Sequence, residues 1–288
     1  RIWAMTLAVV LALSLVPVSA VESLQEEEGA QWITVEGIEG GQIFFNSETG
    51  EIEDVSRKYG AEITKANIPS SINGVGVTSI GNGAFRGCTK LEEVTIPSGV
   101  IRIGSYAFEG CSTLPKIDLP ESVTKIGEGC FSSCNSLEKV IIRAKDTELP
   151  DESINGQGVF RDCPRLTSAG PIGSECDIEF AWEEAIPIGL FAEFKSLKKM
   201  ILPSTIREVY WDWQWCNNFS TAGPIGGNSD DIEFGWDTEI PDEAFSNLNG
   251  LTSVTLPDTI THIGEFAFGS CGKLSEINIP EMVSSIEN

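Results

Sequence analysis

Apolar and polar residues alternate over short segments along most of the chain, and many of these segments end in proline. In the segment that begins at Leu91, the apolar positions are Leu91, Val94 and Ile96, and Pro97 follows. Alternation over so few residues predicts a short strand with one buried face. Because proline cannot donate to a further ladder bond, it marks the end of the strand.

A second apolar pattern follows each predicted strand. Ile101 and Ile103 are separated by one polar residue, as in a second short strand. Ala107, Phe108 and Cys111 then have the spacing to fill a core from a short helical turn. One such unit buries little apolar surface by itself, so it needs neighbours of the same kind.

The two patterns together form a unit that recurs along the chain. Units of 23 residues begin at Leu91 and Leu114, and the same pattern begins at Ile63, Leu251 and Leu274. Self-similarity at this period predicts a repeat solenoid, in which each coil buries its apolar residues against the next. With about 4.8 Å between stacked strands, roughly eight to nine coils would form a rod about 40 Å long.

The centre of the chain departs from the regular unit and repeats itself. Three pairs of residues lie 54 positions apart, namely Ile178 and Ile232, Phe191 and Phe245, and Leu202 and Leu256. This spacing indicates that a two-coil module was duplicated without a linker. Trp182 and Trp236 occur in its DIEFAW and DIEFGW segments, where alternation with Ile and Phe predicts that both tryptophans are buried.

The two ends of the chain differ from the repeats. Residues 1–20 combine an uncharged apolar stretch with a small-residue end, which is typical of a secretory signal peptide. Residues 21–62 contain alternating segments around Ser47-Glu48-Thr49-Gly50, which predicts a β-hairpin that caps the first coil. Residues 63–288 hold the repeats, and the last unit stops partway, as expected for a fragment.

The repeat resembles the BspA-like leucine-rich repeats, whose unit reads LxxIxIPxxVxxIGxxAFxxC, over residues 63–288. The resemblance implies a leucine-rich-repeat solenoid, a right-handed and β-rich superhelix with short strands and short helical or 3-10 turns. It also implies a surface protein that binds other macromolecules, without naming the ligand. The chain departs from the pattern where Cys130, Val159 and Leu190 replace the alanine before phenylalanine.

Charge narrows the possible partners. The chain has 19 Lys and Arg against 43 Asp and Glu, a formal net charge of -24. Such a field repels nucleic acid and anionic lipid, so we expect neither as a partner, and no membrane insertion of the mature chain. The acidity is typical of a soluble extracellular protein, and bulk association with Ca²⁺ is the alternative.

The residues that could support catalysis are sparse. His262 is the single histidine and fills a variable repeat position, which argues against a Ser-His-Asp or Cys-His site and against a zinc cluster. The 228–231 segment could offer oxygen ligands but lacks the spacing of a calcium loop. We therefore predict a chain without enzymatic activity, cofactor or metal.

Five of the eight cysteines occupy one repeat position: Cys88, Cys111, Cys134, Cys163 and Cys271. This recurrence favours a packing role as buried thiols. Stacked coils would also bring neighbouring Cα atoms within disulfide range, so cross-coil bonds stay open.

The outward positions of the predicted strands suggest a binding surface. At the third position of the unit, lysine recurs despite the acidity of the chain, at Lys65, Lys116, Lys139 and Lys199. These lysines would form a partial basic stripe across several coils, which favours an acidic partner segment.

A run of alternating aromatics is the second candidate. Tyr210, Trp211 and Trp215 surround Trp213 in a unit that lacks the Ala-Phe pair. If Trp213 refills the core, Trp211 and Trp215 emerge on the other side as an anchor for protein or sugar.

Together these features predict a secreted or cell-surface, noncatalytic protein-binding or adhesion module. The expected partner is an extracellular host or matrix protein, or a glycan. The repeat portion of a larger surface-anchored enzyme and a purely structural spacer are the alternatives.

Overall fold

The computed structural model describes residues 30–55, 62–148, 158–187, 190–191, 194–209, 218–227 and 231–287. Within these ranges the chain forms short strands joined by turns, and no helix is present. The strands, in chain order, are β1 (Ala30–Ile33), β2 (Ile38–Glu39), β3 (Ile43–Asn46), β4 (Glu51–Asp54), β5 (Lys65–Asn67), β6 (Ser71–Ile72), β7 (Val75–Gly76), β8 (Ser79–Ile80), β9 (Glu93–Thr95), β10 (Arg102–Ile103), β11 (Lys116–Leu119), β12 (Lys125–Ile126), β13 (Lys139–Ile142), β14 (Ser168–Pro171), β15 (Ile178–Phe180), β16 (Ala185–Ile186), β17 (Lys199–Leu202), β18 (Glu208–Val209), β19 (Thr221–Pro224), β20 (Ile232–Phe234), β21 (Glu239–Ile240), β22 (Ser253–Val254), β23 (His262–Ile263), β24 (Glu276–Ile277) and β25 (Ser285–Ile286).

Two series of parallel strands run along the stacked coils. The first series contains β5, β9, β11, β13, β15, β14, β17, β20, β19, β22 and β24. The second series contains β8, β10, β12, β16, β18, β21, β23 and β25. The parallel stacking of repeated coils confirms the predicted leucine-rich-repeat architecture.

Alternation along the first series separates core from surface. Ile117 pairs with Val140 in a parallel register, and both side chains are buried. Lys116, one residue earlier, is exposed. The predicted assignment of inward and outward strand positions is therefore confirmed. We call the outward side of the first series the outer face.

At the predicted helical or 3-10 turn, the described coils form no regular helix but keep hydrogen bonds of the 3-10 type. The N–H groups of Ala107, Glu109 and Cys111 donate to the carbonyl groups three residues earlier, at 3.1–3.3 Å. Between Gly104 and Cys111, Tyr106 and Gly110 have positive φ values of 58° and 71°. The N–H groups of these two residues donate to carbonyl groups of the next coil, and so does the N–H of Phe108, at 2.9 Å from Cys130. A continuous helix would keep all of its donors within its own turn, whereas here every second donor bonds to the next coil.

Phenylalanine forms the centre of the core. Phe85, Phe108, Phe131 and Phe160 stack in sequence, with ring centroids 5.1, 5.5 and 5.9 Å apart. Phe131 and Phe160 keep their places although Cys130 and Val159 replace the preceding alanine. The stack therefore tolerates a larger neighbour.

Cysteine forms a second ladder beside the phenylalanines. Each thiol donates to the phenylalanine carbonyl of the preceding coil, at 3.2 Å for Cys111 to Phe85, 3.1 Å for Cys134 to Phe108, 3.0 Å for Cys163 to Phe131 and 3.0 Å for Cys271 to Phe245. All seven cysteines within the described ranges are free thiols. The predicted packing role is confirmed.

Burial makes the inner thiols poor nucleophiles. It raises the pKa of Cys163 to about 12, whereas Cys271 is only half-buried. Because the thiolate is the reacting form, we expect N-ethylmaleimide to label Cys163 at least about tenfold more slowly than Cys271 at about pH 8. Site-resolved mass spectrometry measures both rates, and unfolding in urea should make them equal. Equal labelling of the folded chain would contradict the buried ladder.

The first four strands lie at the N-terminal end of both strand series. β3 pairs antiparallel with β1 and β4, and β4 continues in parallel into β8 of the second series. β2 pairs antiparallel with β5 of the first series. Both sheets therefore end in cap strands instead of open edges.

The duplicated centre contains a strand order that the repeat pattern does not predict. The sheet runs β13-β15-β14-β17-β20-β19-β22, so β15 and β20 each lie before the strand that precedes them in the chain. Ile178 of β15 pairs with Val140, and Ile232 of β20 pairs with Met200. The equivalent registers confirm the duplication. Each module thus inserts one extra strand and one return loop.

Candidate binding surface

The four predicted lysines all lie on the outer face, at the first residue of β5, β11, β13 and β17. Lys116 and Lys139 are paired neighbours in the ladder. Lys199 pairs with Ser168, while Lys65 pairs with Glu93. The lysines therefore share one row, but other residues interrupt it.

Carboxylates neutralise three of these four lysines. The ammonium groups of Lys139 and Lys199 lie 2.6 Å from Glu179 and Glu233, respectively. Lys65 lies 3.0 Å from Glu93, and this hydrogen bond raises the pKa of Lys65. The Lys116 side chain has no hydrogen bond or ion pair with the residues that the structure describes, and it is exposed. The row is thus mixed in charge, with Lys116 as its exposed cation.

The Lys139–Glu179 pair also fastens the return loop of the first module. The Lys139 ammonium donates to the Cys176 carbonyl at 2.5 Å, and the Gly173 N–H donates to Glu179 at 3.1 Å. Burial opposes the ionisation of Glu179, but the bonds from Lys139 and Gly173 outweigh it and keep its pKa below the ordinary value. We call this arrangement the lysine–glutamate clamp.

The second module repeats the clamp with Lys199, Glu233 and the N–H of Gly226. An aspartate fixes the start of each loop strand in both modules. Asp177 accepts from the N–H groups of Thr167 and Ser168, and Asp231 accepts from those of Ser220 and Thr221. The described parts of the two loops therefore have the lysine–glutamate pair, the glycine N–H bond and the aspartate bonds in common.

Four isoleucines lie on the outer face of the two modules, and the sequence analysis missed them. Ile141 and Ile201 are half-buried outward residues of β13 and β17. Ile172 and Ile225 begin the return loops and are 46% and 52% exposed. The sequence signal for Ile172 and Ile225 was the recurrence of the AGPIG segment, which contains one of these residues in each copy.

Tryptophan contributes to the core in this part of the chain. Trp182 and Trp236 are buried, and the indole N–H of Trp236 donates to the Ile206 carbonyl at 2.8 Å. Their predicted core position is confirmed. The predicted aromatic anchor, comprising Tyr210, Trp211 and Trp215, lies outside the described residues.

A cleft of about 750 Å³ opens on the outer face beside the modules, at the boundary between β9 and β11. No backbone hydrogen bond joins these two strands within the described coils. In other coils the backbone N–H of the second residue of the unit donates to a carbonyl of the preceding coil, as Glu92 does to Thr64. Pro115 occupies this position in the β11 unit and has no N–H to donate, so the bond is missing there. Lys116, Asp118 and Arg143 are among the lining residues.

The described part of the chain holds neither a cluster of metal ligands nor a membrane-spanning helix. No cluster of three or more His, Cys, Asp or Glu is placed to bind a metal ion there. His262 bonds to Ser285 at 2.6 Å on the second series. The described residues also contain no helix with the length and apolar character of a membrane span.

The chain belongs to the BspA type leucine rich repeat family. The family model matches six copies, at residues 50–170 and 237–288, which together make up more than half of the chain. The intervening residues contain most of the duplicated modules. No curated protein sequence matches the chain.

Three crystal structures of bacterial proteins, two of them leucine-rich repeat proteins, are similar to the chain at low identity. A leucine-rich repeat protein from Bacteroides ovatus is 20% identical, with 88% of this chain and 90% of that chain covered and a TM-score of 0.32. The T. pallidum leucine rich repeat protein is 19% identical, with 87% and 90% covered and a TM-score of 0.40. The pneumococcal vaccine antigen PcpA is 16% identical, with 89% and 70% covered and a TM-score of 0.37.

Proposed function

We propose that the chain is a noncatalytic protein-binding module of a secreted or cell-surface protein, and that it binds its partner on the outer face. The main support for this proposal is that nine strands of the first series form one continuous sheet with exposed side chains on its outer face. Eight spacings of about 4.8 Å give a strip about 38 Å long. With a contact width of about 20 Å, the strip reaches the roughly 800 Å² per partner of a standard interface.

Charge supports an extracellular protein partner. The formal net charge of -24 repels nucleic acid and anionic membranes. Residues 1–20, which resemble a signal peptide, support export. We propose a host or matrix protein as the partner, with Lys116 next to one of its carboxylates.

A solid-phase screen tests this proposal. The purified chain is applied to immobilised matrix proteins and glycans at low ionic strength, where charge contacts are least screened. We expect saturable binding to at least one protein, and Lys116→Glu should weaken it about fivefold, equivalent to about 1 kcal/mol.

Lys125→Glu is the matched control, because Lys125 is an exposed lysine of the second series, paired with Glu148 at 3.0 Å. It should leave binding unchanged. A panel without any bound protein would favour a structural spacer, and equal losses in the two variants would exclude the outer face as the site.

A further inference from the structure

The outer-face isoleucines form two offset pairs, one on the strands and one at the start of the return loops. We call the two pairs together the isoleucine row: Ile141 and Ile201, and Ile172 and Ile225. Each module supplies one strand isoleucine and one loop isoleucine. The duplication repeats the loop pair, because Ile172 and Ile225 hold the same position in the two AGPIG copies. Ile141 and Ile201 are equivalent in ladder register, since they pair with Glu179 and Glu233. Exposed apolar residues that recur in register on one face are typical of a binding surface.

The row has a defined spacing. Three strand steps separate Ile141 of β13 from Ile201 of β17, through β15 and β14. Three steps also separate the end of β14, before Ile172, from the end of β19, before Ile225. At about 4.8 Å per step, each pair of equivalent isoleucines is about 14 Å apart along the stack.

An extended polypeptide matches this spacing. Four residues of extended chain span about 13–14 Å, and residues four apart point to the same side. A helix would need about nine residues for the same distance, which does not return to the same face after whole turns. The spacing therefore favours an extended segment that runs along the solenoid.

The clamps hold the loop isoleucines in place before any partner arrives. In the first module, Glu179 accepts from Gly173, the neighbour of Ile172, and Lys139 donates to the loop carbonyl of Cys176. A Cβ atom at Gly170 would lie only 2.7 Å from Ser174 Oγ and 3.0 Å from Cys176 Sγ, both in the return loop. The loop therefore lies against the outer face of β14. Preformed loops lower the entropy cost of binding.

The chemistry of the row favours apolar side chains over sugar. Isoleucine has no donor or acceptor for hydroxyl groups, and Glu179 and Glu233 are already engaged with lysine beneath the loops. Burying unpaired sugar hydroxyls on isoleucine would be unfavourable. We propose that the isoleucine row binds an extended polypeptide with apolar side chains at every fourth residue, an inference that rests on the proposed function.

Immobilised peptides test this inference with the full chain. One peptide carries isoleucine at every fourth position among threonine, serine and lysine, and a second has the same composition with isoleucine at every third position. We expect the first to bind at least about tenfold more tightly. The Ile172→Asp, Ile225→Asp double variant should weaken that binding about 100-fold, or about tenfold for each isoleucine.

Ile101→Asp is the matched control, because Ile101 is 50% exposed but precedes β10 of the second series. Binding by this variant should be unchanged, and thermal melts of all variants verify folding. The inference is overturned if neither peptide binds, if spacing has no effect, or if the folded double variant binds normally. Glycan binding that the double variant loses would also overturn it. The proposed function fails separately, in the matrix-protein screen with Lys116→Glu.

Discussion

Phe108→Ala is expected to destabilise the folded chain by about 3–5 kcal/mol, the usual cost of removing a buried phenylalanine. Phe108 is fully buried, and its ring stacks between Phe85 and Phe131 at 5.1 and 5.5 Å. The substitution would leave a cavity between the Phe85 and Phe131 rings. Hydrogen bonds between the coils hold the surrounding backbone in place, so the cavity cannot easily collapse. Urea unfolding followed by circular dichroism measures the loss.

Phe266→Ala is the control for the same change of side chain at the surface. Phe266 is 54% exposed, although it lies in the same kind of turn. We expect this variant to lose less than about 1 kcal/mol. Similar losses in both variants would contradict a core organised by the phenylalanine stack.

Glu179→Gln is expected to cost about 2 kcal/mol. Glu179 is buried, and its substitution removes a charged hydrogen bond from Lys139. The Lys139 side chain is 34% exposed, so water recovers some of the loss. The variant should also speed hydrogen exchange at Gly173, whose N–H donates to Glu179. Urea unfolding and exchange mass spectrometry measure the two effects.

Glu183→Gln is the matched control for this pair. Glu183 pairs with Lys145, but both side chains are more than half exposed. Exposed pairs contribute about 0–1 kcal/mol, so the loss should be small. A cost as large as that of Glu179→Gln would show that the clamp has no special role.

The pH dependence of stability should distinguish the wild-type chain from the Glu179→Gln variant. The pKa of Glu179 is lower in the folded chain than its ordinary 4.5, so ionised Glu179 stabilises the fold above that value. The contribution is lost as the pH falls through the folded pKa. Wild type should therefore lose more stability than Glu179→Gln on acidification below pH 4.5. Identical pH profiles would contradict the lowered pKa.

The regular coils could be predicted from the sequence because local pattern and tertiary packing agree there. Val94 and Ile117 alternate with polar residues, and each occupies the inward side of its strand as expected. The regular units likewise repeat phenylalanine and cysteine at the positions of Phe108 and Cys111. The turn around Tyr106 forms no continuous helix, because bonds between coils, which the local pattern does not show, take every second donor of the turn.

The candidate surface was only partly predictable. Outward placement of Lys139 and Lys199 followed from strand alternation, but their partners did not, since Glu179 and Glu233 lie on strands inserted out of chain order. Pairing across a return loop depends on that order, which hydrophobic periodicity does not encode. The isoleucine row could not be predicted for the same reason, because the spacing of its residues depends on the order of β13, β14, β17 and β19 in the sheet.

Hydrogen exchange on the full chain, alone and bound to a matrix protein retained in the solid-phase screen, tests the binding surface most directly. We expect protection in the segments of the outer face, at 139–142, 168–173, 199–202 and 221–226, and unchanged exchange in the second series at 102–103 and 262–263. Protection confined to the second series, or none in either series, would contradict binding on the outer face.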